Sequence, residues 1–301
     1  MSLWIPITVT AAFLQNLRST LQKHLKGHLS TTGATFVRFG FGLPFALLYC
    51  AVLFGPMGFE LPGLSFRFAL WLIVGALAQI AATFLLVHLF SFRNFVVGNA
   101  YSRTEPMQTA LFAIVLFGAE FTAGAVVSIC IAVLGVMLIS VAQTSITLRN
   151  VFVSIGSRTA LIGLGSGTLF GLAAIGFQTA ARSVASDVFF VQAATTLLIG
   201  IAFQTGVMLA YIALRERDQF AKMRAAWKPA LAVGFVGATA TFGWFTAFTL
   251  QQAALVKVVA QVEMLFSFGS SLFFFKEKIN RTEIAGCLLI IGSILCLLLY
   301  A

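Results

Sequence analysis

The stretch ALWLIVGALAQIAATFLLVHLFS, residues 69–91, decides the fold, because it runs for its whole length without an Asp, Glu, Lys or Arg. A membrane-crossing helix needs about 20 predominantly apolar residues, and this run supplies them. It stays apolar instead of alternating over about ten residues, so it suits a helix and not a barrel strand. Outward from it, windows of about 19 residues give nine further runs, near 4–22, 34–54, 95–117, 124–143, 159–180, 188–213, 230–250, 253–275 and 284–301. The chain has 301 residues, 60% apolar and only 9% charged, against roughly a quarter charged in a soluble domain. At about 20 residues per span plus short connections, ten helices leave no room for a soluble domain.

Lys and Arg outnumber Asp and Glu by 19 to 9. They are spread thinly between apolar runs, so the excess does not point to nucleic acid. The bilayer and a small-molecule substrate are the expected partners, with monomer and homodimer both open. Cys50, Cys130, Cys287 and Cys296 lie inside apolar runs without CxxC or Cys/His spacing, so no metal site is expected. No cofactor is expected either. The first run meets Gln15, Asn16 and Arg18 without a cleavage pattern and is kept as a span.

Charge placement sets the expected orientation. The odd-numbered connections carry Lys23, Lys26, Arg93, Arg149, Arg158, Arg215, Arg217, Lys222, Arg224, Lys228, Lys276, Lys278 and Arg281, whereas the even-numbered ones carry only Arg67 and Arg182. Basic residues in short loops stay in the cytoplasm, so the odd connections are expected inside and both termini outside. The expected location is a bacterial cytoplasmic (inner) membrane.

Within the opening stretch, Ala82-Thr83-Phe84 recurs 158 residues later as Ala240-Thr241-Phe242, and Phe90 and Glu105 recur at the same offset as Phe248 and Glu263. Glu120 and Gly135 recur as Glu277 and Gly292 with a one-residue slip. Collinear matches point to a duplicated five-span unit, 1–150 and 151–301. An odd number of spans inverts the second copy. The expected architecture is thus all-α, ten transmembrane helices in two inverted five-helix repeats, an arrangement secondary carriers use with the substrate site between the halves.

These residues resemble a known family. Glu105-Pro106, then Leu116-Phe117-Gly118-Ala119-Glu120, then Gly135, with Glu263, Phe273 to Glu277, Gly286 and Gly292 in the second half, look like the EamA-type signature of the drug/metabolite transporter superfamily. Arg38 matches an arginine common there. Two positions depart from the pattern: Met264 stands where the first half has Pro106, and Gln192 is the counterpart of Arg38. The resemblance implies a ten-helix transporter and leaves the substrate open.

Charge inside a membrane costs about 2.5–3.5 kcal/mol at a helix centre, so such residues normally face protein or water. Arg18, Arg38, Arg103, Glu105, Lys257 and Glu263 qualify. Arg18 and Arg38 lie near span ends, where snorkelling to the interface competes evenly with a buried role. Asn99 and Arg103 share one helix face, as do their repeat mates Lys257 and Gln261. Arg103 and Lys257 are read as a clamp for a carboxylate or phosphate, against structural ion pairs with the nearby glutamates. Glu105 and Glu263 sit about 200° around from that face, and only Pro106 offers a backbone distortion to bring one back. For them interhelical hydrogen bonding is preferred to proton carriage or amine binding.

The remaining candidates divide by the same weighing. His88 is read first as packing and second as a proton relay. Trp244 could wall a substrate, and Gln15, Gln79 and Tyr101 complete the set. Gly163, Gly167 and Gly171 form a GxxxGxxxG packing stripe. Glu120 and Glu277 are placed at an interface or helix cap.

No Walker A, HExxH or GxSxG motif occurs, so an ATPase or intramembrane enzyme is not supported. The leading expectation is a secondary carrier, working by alternating access, that exports an amino acid or related zwitterion. Exchange of organic or phosphorylated anions is the rival, favoured by the four intramembrane cations against two carboxylates. A channel or accessory membrane subunit is a third class.

Overall fold

The computed structural model describes residues 3–89, 91–92, 101–142, 157–266 and 281–300. They form the helices α1 (Trp4–Leu25), α2 (Thr31–Gly40), α3 (Leu43–Phe54), α4 (Phe66–Leu89), α5 (Glu105–Phe117), α6 (Ala123–Ala142) and α7 (Arg158–Arg182). After these come α8 (Phe189–Arg215), α9 (Asp218–Ala225), α10 (Trp227–Leu250), α11 (Ala253–Val259) and α12 (Arg281–Tyr300). A single antiparallel bridge, Gly63 to Ala185, ties the connection after α3 to the one after α7.

Six described segments are long and apolar enough to cross a membrane: Thr31–Phe54, Phe66–Leu89, Arg158–Arg182, Phe189–Arg215, Trp227–Leu250 and Arg281–Tyr300. Glu105–Phe117 and Ala123–Ile139 are shorter apolar helices. The expected spans near 4–22 and 253–275 correspond to α1 and to α11 with the short helix at 262–266. α1 is not among the six apolar segments, and residues 267–275 of the later run lie outside the described residues. Gln15, Arg18, Lys257 and Glu263 of these two runs face the interior.

Pro44 and Pro106 fall inside the runs 34–54 and 95–117, and each stands in the first turn of a new helix, α3 and α5. There the missing N–H is one that no intrahelical partner would receive. Gly118, at φ 61°, ends α5 in the left-handed conformation that a Cβ disfavours. Glu120 is exposed, and Thr122 rather than Glu120 caps the next helix by accepting from the Ala125 N–H at 3.1 Å.

Each helix sorts its residues between lipid and protein. On α4, Leu70, Ile73 and Leu77 are exposed, whereas Gly75, Ala76, Gln79, Ala82 and Thr83 are buried. Small and polar residues thus face neighbouring helices, as close packing without a hydrophobic drive requires. Gly75 and Gly176 mark the crossing of α4 and α7, and Ser166 donates to the Ala82 carbonyl at 3.0 Å. These contacts make α4 and α7 antiparallel. Ala11 faces Gly243 and Arg18 faces Gly237, so α1 and α10 are antiparallel. Gly124 meets Tyr300 and Gly135 meets Gly286, so α6 and α12 are too. Phe45 packs on Phe235 and Tyr49 bonds Thr239 at 2.6 Å, which makes α3 and α10 parallel.

The α4–α7 crossing gives a direct test. A Cβ on Gly176 would lie 2.8 Å from the Gly75 Cα and 3.1 Å from the Trp71 carbonyl oxygen, backbone atoms that cannot step aside. Gly176→Val should cost about 1–3 kcal/mol. Gly206 on α8 has nothing within 4 Å of an added Cβ, so Gly206→Ala should gain about 0.5–1 kcal/mol. Thermal unfolding in detergent reads both, and equal shifts would contradict the packing.

Candidate functional site

Two helices break at the place where charge enters the bundle. Arg103 and Thr104 form a turn before α5, and Ala260 and Gln261 form a turn between α11 and residues 262–266. In the second break the Glu263 N–H bonds the Ala260 carbonyl at 3.0 Å and the Met264 N–H bonds that of Gln261 at 2.9 Å, each three residues back. The break therefore needs no proline. A distortion expected in the first half alone occurs in both. It removes the premise that the carboxylates must point away from the cations.

Between these breaks lies a cavity of ≈ 50 Å³ lined by α1, α2, α4, α5, α7, α10, α11, by Ser102 and Arg103 before α5, and by Glu263 after the second turn. One water needs about 10–15 Å³ on this measure, so the space holds a few waters and no metabolite. Arg103 grips Glu263 through two bonds, Nη1 to Oε2 at 2.9 Å and Nη2 to Oε1 at 3.2 Å. Such forked pairing fixes the orientation of both groups. Lys257 Nζ lies 2.7 Å from Glu105 Oε1. That contact lacks hydrogen-bond alignment, and Oε1 is a buried atom without a hydrogen bond among the described residues. The carboxylates are repeat mates at the 158-residue offset, and each is held by a cation of the other half. The cations are not mates of one another.

The pairs are embedded in further polar contacts. Trp244 Nε1 donates to Gln15 Oε1 at 3.0 Å, and Gln15 Nε2 donates to Glu263 Oε2 at 3.3 Å. Lys257 Nζ lies 4.8 Å from the centre of the Trp244 ring and 5.8 Å from that of Phe248, a cation–π placement. Gln79 accepts from Gln204 Nε2 at 2.9 Å.

Arg18 and Arg38 are each only 3% exposed and line the same cavity. Snorkelling to an interface is thereby excluded for both. Arg38 Nη1 donates to Thr83 Oγ1 at 3.1 Å, and Arg18 Nη2 reaches Ser19 Oγ at 3.4 Å. Neither guanidinium makes an ion pair within 4.0 Å among the described residues. Four cations thus share one cavity with two carboxylates, and both carboxylates are already engaged.

Of the residues singled out in the sequence, the structure brings together Gln15, Arg38, Gln79, Arg103, Glu105, Trp244, Lys257 and Glu263. Three others sit apart. Tyr101 is buried against Ala160. His88 stacks on Phe84 and meets Phe92 edge-on. Gln261 folds back to donate to the Lys257 carbonyl at 3.2 Å, so the two do not present one face as helix geometry predicts. Asn99, Phe90, Glu277 and Phe273 lie outside the described residues. Gln192, the counterpart of Arg38, donates to the Ser186 carbonyl and does not line the cavity. Gly167 and Gly171 pack against Ser102 and Thr109, and Gly163 is buried on the same helix. Arg18, Ser102, Thr241 and Phe245 also line the site. Arg18 was signalled by its charge inside a span, the other three by nothing local.

Comparison with known proteins follows this geometry. A solved structure described as "Crystal structure of protein" is similar with a TM-score of 0.68 at 13% identity, covering 98% of this chain and 95% of that one. The likeness shows a shared fold from end to end. No curated protein matches in sequence. Residues 157–299 match the family described as the EamA-like transporter family. By that match, which spans a little under half of the chain, the second half is similar to the EamA-like transporter family.

Proposed function

We propose that this membrane transporter is a secondary carrier of small organic anions, carboxylates foremost, which bind between two inverted halves and cross by alternating access. The observation that carries the substrate class is the pair of buried guanidinium groups, Arg18 and Arg38, that line the cavity with no ion-pair partner among the described residues, beside two completed ion pairs. A buried charge is tolerated only when something compensates it. An anionic group between these arginines does so, with charge-assisted bonds of the strong, forked kind. An amino acid's carboxylate would satisfy them as well, but its ammonium would have to displace Lys257 or Arg103 from a glutamate.

The antiparallel pairs α1–α10, α4–α7 and α6–α12 support the inverted-repeat reading, since each matches a first-half helix with a second-half helix, and the first two pairs border the central cavity. The small cavity supports a closed state between two open ones. A zwitterion is the second reading. Glu105 favours it, because its contact with Lys257 lacks hydrogen-bond geometry and could be exchanged for a substrate ammonium.

Purified protein in liposomes tests the proposal with labelled mono- and dicarboxylates beside neutral amino acids. Saturable uptake of carboxylates, accelerated by the same compound inside the vesicle, is expected. No uptake and no counterflow across the panel would overturn the carrier, and counterflow confined to amino acids would overturn the anion assignment.

A further inference from the structure

A second cavity, ≈ 310 Å³, lies beside the central one, with α7 and α11 contributing to both. The two lie on adjoining faces of α7. Phe170, Ala173, Ala174 and Phe177 line the central cavity, and Ile175, Gln178, Thr179 and Arg182 line the second. On the segment that opens α11, Lys257 faces the first and Gln252, Ala253 and Ala254 face the second. Phe177, Phe245 and Phe248 line the central cavity, with the Phe177 and Phe245 ring centres 4.5 Å apart. Gln178 Nε2 and Arg182 Nε both donate to the Phe248 carbonyl, at 3.0 and 3.1 Å, so the second cavity's wall is tied to the segment that carries Phe248.

The charge of this cavity is one-sided. Arg67 and Arg182 line it, and among the described residues no carboxylate does. These are the two basic residues that the sequence places on the even-numbered connections, which are otherwise without Lys or Arg. The Gly63–Ala185 bridge ties together the two connections beside them. Both side chains are exposed, and Arg67 has no hydrogen-bond acceptor among the described residues. Gln252 adds a buried Oε1 that accepts no hydrogen bond among them. A carboxylate answers the two guanidinium groups, and a hydroxyl or ammonium next to it answers that acceptor.

We infer that this cavity is a separate binding site for a small carboxylate bearing a neighbouring hydroxyl or amine, held by Arg67, Arg182 and Gln252 beside the central site. The inference rests on the carrier reading only for the idea that the ligand waiting here is the one transported. Binding itself can be measured without transport, so failure of one is distinguishable from failure of the other.

Thr179→Cys places a thiol in the cavity wall. Its modification by a negatively charged and by a positively charged methanethiosulfonate is followed by peptide mass, which leaves the four native cysteines in place. A cleft of one charge sign concentrates counter-ions about tenfold or more. The anionic reagent should therefore react about tenfold faster than the cationic one at low salt, after correction for their rates with a free thiol. Lactate should slow labelling at lower concentration than acetate, which lacks the hydroxyl. Arg67→Gln, at an exposed position, should reduce the ratio and raise the lactate concentration needed, and Arg182→Gln should do the same if it folds. Equal rates for the two reagents, no protection by lactate, or protection unchanged in Arg67→Gln would each overturn the site.

Discussion

Replacing Glu263 with Ala is expected to destabilise the protein by about 3–5 kcal/mol, the cost of stranding a buried cation by removing its partner. Glu263 is 3% exposed and receives both Nη groups of Arg103 together with the Gln15 amide. Its loss leaves Arg103 and the nearby Arg18 in a cavity of only ≈ 50 Å³, too small for a full hydration shell. Arg103→Ala alone leaves the opposite charge uncompensated by its forked partner, although Arg18 remains close. The double variant Arg103→Ala/Glu263→Ala removes both charges and should recover most of the loss. Thermal unfolding of all four proteins in one detergent gives the coupling energy directly, since contacting residues are not additive. Additive losses would mean that the pair does not hold the site together. The same experiment separates two ideas about Arg103. A residue free to clamp substrate would show little coupling to Glu263, whereas a cation already neutralised leaves substrate binding to other groups.

That division of labour explains what the sequence could and could not reveal. Spans are legible because lipid imposes a one-dimensional rule on composition, and the apolar run at 69–91 appears as Phe66–Leu89 with ends moved by three residues or fewer. Charged residues inside spans are legible for the same reason, and six of them do line one cavity. Partner choice is not legible. Arg103 and Glu263 are separated by 160 residues, and their pairing depends on two turns that interrupt helices. Only one of those turns has a proline beside it. Where the helix breaks, the rule of 100° per residue fails, and with it the inference that Lys257 and Gln261 share a face. Helix ends mislead in a different way. Arg18 and Arg38 sit close enough to span ends to snorkel in principle, yet neighbouring helices cover them. Only the packing of α10 over both, at Gly237, makes that visible.

Replacing Arg38 with Gln should have the opposite signature to the loss of Glu263: transport weakens and the fold does not. Arg38 is buried without an ion-pair partner, donates one neutral bond to Thr83, and lies 5.4 Å from the Phe39 ring centre. A glutamine keeps a donor for Thr83 and relieves the desolvation of an uncompensated charge, so the unfolding temperature should hold or rise. Hydrogen bonds to a charged group contribute about 1.5–3 kcal/mol. Losing one from the bound anion should therefore raise KM by about 10- to 150-fold, and Arg18→Gln should act in the same direction. An unstable site retained for binding is the familiar compromise between stability and activity. The two readouts must part for the assignment to stand. If the unfolding temperature of Arg38→Gln falls while KM for carboxylates stays unchanged, the arginine is a structural element. If KM rises equally for carboxylates and for uncharged analogues, it shapes the cavity without recognising charge.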